Sequence, residues 1–406
     1  MIYHETEHGV LYNGNSLEVL KSMVSESVDV CVTSPPYWGL RDYGTADWQG
    51  GDANCDHRID RFGNRKVTDN TIINQLKQNS LAGEYVPNNE SCPKCGAIRK
   101  DSQLGLEKTP EEYVANMVAL FREVRRVLKA DGVLWLNLGD SYASGKSRYS
   151  SKPQTLSGKS HDEPTNGKKP DLYYHPYLKD KDLVGIPWRV AFALQAGFCK
   201  CLCCGTEMRT DLWYRRNGHL VCVDCLSNGL KHKVIQSEPG WYLRQDIIWH
   251  KPNPMPESVR DRCTKSHEYI FMLTKSAKYY FDADAIRQEP TGRTDPITSF
   301  GKNIKRGEAY SLDATKGANK RSVWTVATKP YKEAHFATYP PDLILPCILT
   351  SKPNAVILDP FFGSGTTGLV AVQNGRKYIG IDLNKDYCEI AVNRISKELE
   401  QTRIEL

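Results

Sequence analysis

The sequence has no hydrophobic run of 18 residues or more, so we expect no membrane-spanning helix and no membrane partner. Residues 1–10 lack the basic and apolar regions of a secretory signal peptide. Internal repeats are absent too, which argues against a repeat architecture. These absences predict a cytoplasmic, globular protein.

A strong excess of basic or acidic side chains is absent as well. The 54 basic and 48 acidic side chains give a formal net charge of +6. This excess is compatible with a polyanionic partner but does not predict one by itself. The 406 residues are 40% hydrophobic and 25% charged, which leaves room for one large domain with insertions or for two domains.

Cysteine, in contrast, is plentiful, with 13 residues. Disulfides are rare in the cytoplasm, so metal binding explains these cysteines better. Cys201 and Cys204 form a Cys-x2-Cys pair, and seventeen residues separate them from a second pair, Cys222 and Cys225. That spacing is typical of a structural zinc site with four thiolate ligands. Cys203 is the alternative to Cys204.

Four residues form a second candidate zinc site: Cys55, His57, Cys92 and Cys95. The segment "CPKCG" is a good metal-binding turn, whereas the single residue between Cys55 and His57 is unusual. The alternative is an insertion with solvated cysteine and histidine side chains. We expect two structural zinc ions, one in each cysteine-rich insertion.

Strand-like and helical patterns alternate along the chain, which predicts an α/β fold with a largely parallel sheet. The clearest helix begins with Thr109 and Pro110, has Glu112 for a capping box, and is expected to end at Gly132. Another short helix follows residue 15, with Ser16 as its predicted N-cap. The polar segment 143–180 is predicted to be a mobile loop.

Two loops follow predicted strands and have unusual sequences. In "TSPPYW", prolines end the strand 28–32 and leave a rigid loop with a hydroxyl, carbonyls and an aromatic face. Such a loop suits a planar group that carries an NH2. In "DPFFGSGTT", Gly363 and Gly365 allow a ligand to approach the backbone, and Asp382 follows Gly363 by 19 residues. That is about the spacing of a ribose-binding acid in a nucleotide-binding βαβ unit.

Together these two motifs resemble the S-adenosylmethionine-dependent DNA amino-methyltransferases. Because the proline loop comes first and the glycine loop last, the chain is similar to their circularly permuted β class. The resemblance implies a Rossmann-like methyltransferase fold, here with two zinc-binding insertions. It also implies a catalytic loop and a cofactor site. The expected catalytic residues are Ser34, Pro35, Pro36 and Tyr37. The expected cofactor-binding residues are Asn15, Asp359, Phe361, Gly363, Gly365, Thr366, Thr367 and Asp382.

The resemblance also divides the chain. We expect the methyltransferase core in residues 1–45 (catalytic loop), 106–198, 238–284 and 323–406 (cofactor site), the insertions in 46–105 and 199–237, and a target-recognition segment in 285–322.

The substrate implied is double-stranded DNA, with the target base rotated out of the duplex and stacked on Tyr37. The Ser34 hydroxyl and the Pro35 carbonyl would accept hydrogen bonds from its amine. In this family a serine before the prolines is usual for cytosine N4 and an aspartate for adenine N6. Ser34 therefore favours cytosine N4, and adenine N6 is the alternative. A cognate restriction enzyme is a partner that the family allows, although the chain carries no nuclease motif.

Two other interpretations are less consistent with the sequence. A catalytically inactive zinc-containing DNA-binding protein would not need both loops intact. A protein glutamine methyltransferase would have asparagine before the prolines and its cofactor loop first. The dipeptide Pro346-Cys347 is similar to the nucleophile of cytosine C5-methyltransferases. It lies, however, in the apolar "LILPCIL", and we interpret Cys347 as a core residue.

Overall fold

The structure is a computed structural model of the chain. It describes residues 1–39, 45, 47–52, 54–55, 91–143, 178–179, 181–210, 214–216, 219–221, 225, 234–288, 317–329 and 339–404.

The helices are α1 (Ser16–Ser22), α2 (Pro110–Val127), α3 (Ile186–Gln195), α4 (Pro341–Leu349), α5 (Thr366–Gln373) and α6 (Lys385–Ile404). The first strands are β1 (Ile2–Thr6), β2 (Gly9–Asn13), β3 (Val28–Thr33), β4 (Asp47–Gln49), β5 (Ile98–Lys100), β6 (Leu128–Leu138), β7 (Phe198–Cys201) and β8 (Glu207–Arg209). The remaining strands are β9 (Tyr214–Arg216), β10 (His219–Val221), β11 (Val234–Glu238), β12 (Tyr242–His250), β13 (His267–Thr274), β14 (Val323–Thr325), β15 (Val356–Asp359) and β16 (Lys377–Asp382).

In the part of the chain that the structure describes, nine strands form one sheet in the order β1-β2-β16-β15-β3-β6-β13-β12-β14. The central strands β2, β16, β15, β3 and β6 are parallel to one another. Antiparallel pairing occurs between β1 and β2 and on both sides of β13. The prediction of an α/β fold with a largely parallel sheet is therefore confirmed.

Helices cover both faces of this sheet. Helices α1, α2 and α3 pack on one face around a core that includes Leu20, Phe121 and Val190. Helices α4, α5 and α6 pack on the other face around a core that includes Ile344 and Val370. Apolar side chains point to both sides of the central strands, because a parallel sheet that is covered twice has no solvent-facing side.

Strands β3 and β15 lie side by side at the centre of the sheet. From β15 the chain crosses to β16 on one side, and from β3 it continues to β6 on the other. The strand order thus reverses between β15 and β3. Ligands of open α/β sheets bind at the carboxyl edge of such a point. The loops after β3 and β15 are the two motifs that the sequence singled out.

Helix α2 begins as predicted and ends earlier. The Thr109 hydroxyl accepts a hydrogen bond from the Glu112 N–H at 3.0 Å, and Pro110 opens the helix. The expected end at Gly132 was wrong, since Leu128 already has extended geometry and starts β6. The apolar pattern continues past the helix because the strand that follows is also buried. A Cβ on Gly132 would lie 2.9 Å from the Lys129 carbonyl oxygen, so the glycine fits a tight point inside the strand.

The cysteine-rich segments form small sheets outside the nine-stranded sheet. Strands β4 and β5 pair with each other, β9 pairs with β10, and β11, β7 and β8 form a three-stranded sheet. Among the described residues, no helix combines the length and the apolar character that crossing a bilayer requires.

Candidate active site

One buried carboxylate joins the ends of β3 and β15. Asp359 is 1% exposed and accepts hydrogen bonds from the hydroxyls of Thr33 and Thr367, each at 2.6 Å, and of Tyr339 at 2.9 Å. The N–H of Phe361 donates to the same carboxylate at 3.0 Å. Burial raises the pKa of Asp359, and these donors oppose that rise. Asp359 therefore fixes the start of the glycine loop to the start of the proline loop.

The glycine loop leaves open space at its tip. Gly363 and Gly365 have φ of 50° and 77°, a region that non-glycine residues avoid. A Cβ on Gly365 would lie 2.8 Å from the Cβ of Ala391, whereas a Cβ on Gly363 would meet no atom within 4 Å. Helix α5 begins directly afterwards at Thr366. A cofactor can thus approach the backbone at Gly363, beside the start of a helix.

Asp382 lies at the end of β16, next to this loop. Its carboxylate accepts hydrogen bonds from the N–H of Gly363 at 2.7 Å and of Asn384 at 2.8 Å. Burial raises the pKa of Asp382 to about 6, because desolvation disfavours the charged form. Its backbone carbonyl accepts from the N–H of Gly14 at 2.9 Å, which brings the end of β2 beside it.

Asn15 follows Gly14 and caps helix α1. Its side-chain oxygen accepts from the N–H of Leu17 at 3.0 Å and of Glu18 at 3.2 Å. Asn15, not the predicted Ser16, is therefore the N-cap. The Ser16 hydroxyl instead donates to the Pro360 carbonyl at 2.5 Å and ties α1 to the glycine loop.

The structure thus places the predicted cofactor-binding residues at the ends of β2, β15 and β16 and at the start of α5. Four of them are buried: Asp359, Gly365, Thr366 and Thr367. Asp359 and Thr367 are the least exposed of these side chains, at 1% and 0%.

The proline loop is held from behind by the segment that leads into α2. The Tyr113 hydroxyl donates to the Pro36 carbonyl at 2.9 Å. The Trp38 indole N–H donates to the Glu107 carbonyl at 2.9 Å, and the next N–H, that of Gly39, donates to a carbonyl of the same segment. Pro35 is buried, whereas Ser34 and Tyr37 are half-buried. These hydrogen bonds anchor the proline loop to the segment that leads into α2.

A polar cluster surrounds Ser34 and Tyr37. The Tyr37 hydroxyl lies 2.7 Å from a carboxylate oxygen of Glu268 and 3.0 Å from the amide oxygen of Asn137. The Ser34 hydroxyl lies 3.3 Å from that amide oxygen and 3.2 Å from the Tyr37 oxygen. Lys251 forms an ion pair with Glu268. Burial, followed by the charge of Glu268, raises the pKa of Tyr37 well above its usual value, so its hydroxyl stays protonated.

Three residues of this cluster were not predicted from the sequence: Asn137, Glu268 and Lys251. Asn137 is a polar residue in the apolar run of β6, just before the strand ends. Glu268 lies at the start of β13, which runs antiparallel to β6. The start of β13 therefore meets the carboxyl edge of the parallel strands. The only available signal was the presence of polar residues at the ends of otherwise apolar strands.

Three cysteines of each predicted zinc site lie close together. The sulfur atoms of Cys55, Cys92 and Cys95 are all within 4.8 Å of one another, and so are those of Cys201, Cys204 and Cys225. The predicted fourth ligands, His57 and Cys222, lie outside the described residues. Three converging thiols suit a metal that prefers thiolate ligands, such as zinc.

Both clusters use the same backbone turn. The N–H of Cys92 donates to the Ala97 carbonyl at 2.7 Å, and the N–H of Gly96 donates to the Cys92 carbonyl at 2.8 Å. Around Cys201 the equivalent distances, to Thr206 and from Gly205, are 2.8 and 2.9 Å. The glycines have φ of 75° and 77°. Each turn directs its two cysteine side chains to one point.

Cys347 is a core residue, as interpreted from the sequence. It lies in α4 and is 1% exposed. Burial raises the pKa of its thiol, so the reactive thiolate is disfavoured.

Helices cover both faces of a mainly parallel sheet, and a glycine loop and an acid lie at its carboxyl edge. This arrangement is typical of α/β proteins that bind a nucleotide-like cofactor. A family model of the N6/N4 methylase type, described as DNA methylase, matches residues 28–393. The chain belongs to this DNA methylase family and is an S-adenosylmethionine-dependent DNA amino-methyltransferase. The resemblance noted from the two loops is thereby confirmed.

Curated relatives match over nearly the whole chain. Type II methyltransferase M.Cfr9I of Citrobacter freundii is 37% identical over 97% of this chain and 90% of its own length. M.SmaI of Serratia marcescens, also a type II methyltransferase, is 36% identical over 94% of this chain and 89% of its own length.

Among solved structures, the cytosine-N4-specific PvuII DNA methyltransferase aligns with 97% of this chain and 91% of its own, with a TM-score of 0.48 and 15% identity. A putative DNA modification methylase of Thermus thermophilus, complexed with S-adenosylmethionine, aligns with 96% and 93%, with a TM-score of 0.42 and 17% identity.

Proposed function

We propose that this enzyme methylates the N4 amine of a cytosine within a specific sequence of double-stranded DNA. The observation that carries the proposal is the position of Ser34. It opens the proline loop at the end of β3, directly beside the glycine loop at the end of β15. With the methyl donor on the glycine loop and the planar amine on the proline loop, the two reactants would meet where these loops meet.

The cofactor fits the open side of the glycine loop. S-adenosylmethionine supplies an electrophilic methyl group when it is bound. Gly363 allows close backbone approach, and Asp382 offers a carboxylate for the ribose hydroxyls. Phe361, Thr366 and Asn15 line the neighbouring strand and helix ends. Asp359 and Thr367 support the loop from the interior.

The chain's own groups orient the amine. The lone pair of an exocyclic amine is delocalised into the ring, so the amine is a poor nucleophile. The Ser34 hydroxyl and the Pro35 carbonyl accept hydrogen bonds from its two N–H groups. These hydrogen bonds direct the nitrogen lone pair at the methyl group of the cofactor. Holding two reactants in this geometry supplies several kcal/mol of barrier lowering, of order 7 to 11 in favourable cases. Tyr37 provides the aromatic face for the rotated base, with Pro36 fixing the loop.

Ser34 also supports the choice of base. A serine hydroxyl is short and neutral, and in this family it is usual before the prolines of cytosine N4 enzymes. Adenine N6 is the alternative, for which an aspartate at this position is usual. The chain order, with the proline loop first, supports membership of the circularly permuted β class.

We also propose two structural zinc ions. Cys201, Cys204 and Cys225 would bind one ion together with Cys222. The second set, Cys55, Cys92 and Cys95, would be completed by His57. All four positions of each site are then filled by protein, which is typical of structural rather than catalytic zinc. Each ion would stabilise an insertion that has little core of its own.

The enzyme would recognise a defined sequence in its DNA substrate. The type II designation of its relatives supports recognition of a defined sequence and a cognate restriction enzyme as partner. The proposed target-recognition segment 285–322 lies largely outside the described residues, as does the predicted mobile loop 143–180.

Nucleoside analysis tests the proposed product. The protein is incubated with unmethylated duplex DNA of diverse sequence and labelled S-adenosylmethionine, and the DNA is digested. We expect the label in N4-methylcytosine. Label in N6-methyladenine would overturn the base assignment but keep the mechanism. An absence of labelled nucleoside would refute the proposed function.

A further inference from the structure

We infer that Glu268 is a positioning residue for methyl transfer, acting through Tyr37 to keep the lone pairs of Ser34 directed at the substrate amine. The inference rests on the proposed role of Ser34 as a hydrogen-bond acceptor. It goes beyond the two loops, because Glu268 belongs to strand β13 on the far side of β6. Its carboxylate lies 2.7 Å from the Tyr37 hydroxyl.

The orientation of Asn137 sets the pattern of donors. Its side-chain N–H groups donate to the Tyr269 carbonyl at 3.1 Å and to Glu268 at 3.3 Å. The amide oxygen must then face the hydroxyls of Ser34 and Tyr37. Because an amide oxygen and a carboxylate can only accept, both hydroxyls are surrounded by acceptors.

Each hydroxyl has one hydrogen to give. The charged and closer acceptor of the Tyr37 hydrogen is Glu268, since charge-assisted hydrogen bonds are about twice as strong as neutral ones. The Ser34 hydrogen goes to the Tyr37 oxygen or to Asn137. In both cases it points into the cluster, and the Ser34 lone pairs remain for the amine. Ser34 is thus preorganised as an acceptor before the base arrives.

Lys251 forms an ion pair with Glu268 and holds its carboxylate in place. The side chains of the pair are 19% and 15% exposed, and the ammonium of Lys251 also lies 4.2 Å above the Trp249 ring. Without the negative charge on Glu268, the Tyr37 hydrogen could turn to the Ser34 oxygen. Ser34 would then lose a lone pair to Tyr37 and could direct its own hydrogen at the substrate.

A double-mutant cycle tests this coupling. Single-turnover methylation is measured for the wild type, Glu268→Gln, Tyr37→Phe and the double variant, with saturating DNA and S-adenosylmethionine. Tyr37→Phe keeps the aromatic face and removes only the hydroxyl. We expect Glu268→Gln to slow methyl transfer about 10-fold. Tyr37→Phe should cost less, because the Ser34 hydrogen can still go to Asn137. The double variant should be no slower than Tyr37→Phe, because residues that act as a unit are not additive. Cofactor affinity should stay within about 2-fold of the wild type.

Two further variants control for structure. Glu238→Gln removes the charge of another ion-paired glutamate, the partner of Arg122, and should leave the rate unchanged. Lys251→Met combined with Glu268→Gln leaves no unpaired buried charge. It should bind cofactor normally and show the same loss of rate, even if Glu268→Gln alone folds poorly.

The inference is overturned if Glu268→Gln, or the charge-neutral pair variant, transfers methyl at the wild-type rate. It is also overturned if Glu268→Gln slows the Tyr37→Phe enzyme as much as it slows the wild type. The identity of the methylated nucleoside tests the proposed base separately. The coupling between Glu268 and Tyr37 stands or falls whichever base is methylated.

Discussion

The Thr33 hydroxyl donates a 2.6 Å hydrogen bond to the Asp359 carboxylate, across 326 positions of the chain. The two residues end the neighbouring strands β3 and β15, and each is followed directly by one of the two loops of the site. This contact therefore ties the start of the proline loop to the start of the glycine loop.

Thr33→Val keeps the shape of the side chain and removes this hydrogen bond. We expect a loss of about 1 to 2 kcal/mol in the free energy of unfolding, because Asp359 loses one of its donors while buried. Cofactor affinity and the rate of methyl transfer should both fall. Thr274→Val is the matched control, since Thr274 is equally buried and its hydroxyl donates to the Ser276 carbonyl. Equal rates of methylation by both variants would show that the Thr33–Asp359 hydrogen bond does not position the two loops for methyl transfer.

Gly363→Ala tests where the cofactor lies. The alanine must adopt φ near 50°, at a cost of about 1 to 2 kcal/mol. Its methyl group enters the open space in which we propose that the cofactor binds. Gly375→Ala imposes similar strain at φ 68°, also with no atom within 4 Å, but in the turn before β16. By calorimetry, Gly363→Ala should lose affinity for S-adenosylmethionine and Gly375→Ala should retain it. An equal affinity in both variants would place the cofactor elsewhere.

Cofactor binding should depend on the charge of Asp382. Its pKa is raised to about 6, so the carboxylate is ionised above that pH and protonated below it. An ionised carboxylate accepts from both ribose hydroxyls, whereas a protonated one spends an oxygen as a donor. Affinity should be constant above about pH 7 and fall as the pH drops through about 6.

Asp382→Asn should weaken binding about 10-fold or more at high pH and remove this dependence. Asp386→Asn, an exposed neighbour in α6, should behave as the wild type. A wild-type affinity that rises towards acid pH would contradict the assignment.

Metal analysis tests the cysteine clusters. The purified wild type should contain about two zinc ions per chain, and Cys92→Ser and Cys201→Ser about one each, because a site that loses a thiolate binds zinc poorly. Cys263→Ser changes an exposed cysteine outside both clusters and should retain two. A metal-free wild type, or equal loss in all three variants, would refute the zinc sites.

The sequence was sufficient to predict features that depend only on neighbouring residues. Two prolines after a strand and two glycines before a helix identified the loops at Ser34 and Gly363, and the Cys-x2-Cys spacings identified both clusters. Thr109 and Pro110 likewise marked the start of α2, because capping is a matter of neighbouring residues.

Contacts that depend on the order of the strands in the sheet could not be predicted from the sequence. Glu268 lies 231 positions from Tyr37 and meets it only because β13 pairs with β6. Asn137 is a single polar residue in a buried strand, and burial patterns alone do not distinguish a functional side chain from a satisfied core amide. The end of α2 was misplaced for a related reason, since a buried strand continues the apolar pattern of the helix.

The most direct test of the account is methyl transfer by Ser34→Ala, compared with the wild type and with Cys347→Ala. Incorporation of label from S-adenosylmethionine into unmethylated duplex DNA is measured under single-turnover conditions. We expect amine-methylated bases from the wild type and from Cys347→Ala, and a loss of about 100-fold or more in Ser34→Ala. Label at cytosine C5, or unchanged transfer by Ser34→Ala, would contradict it.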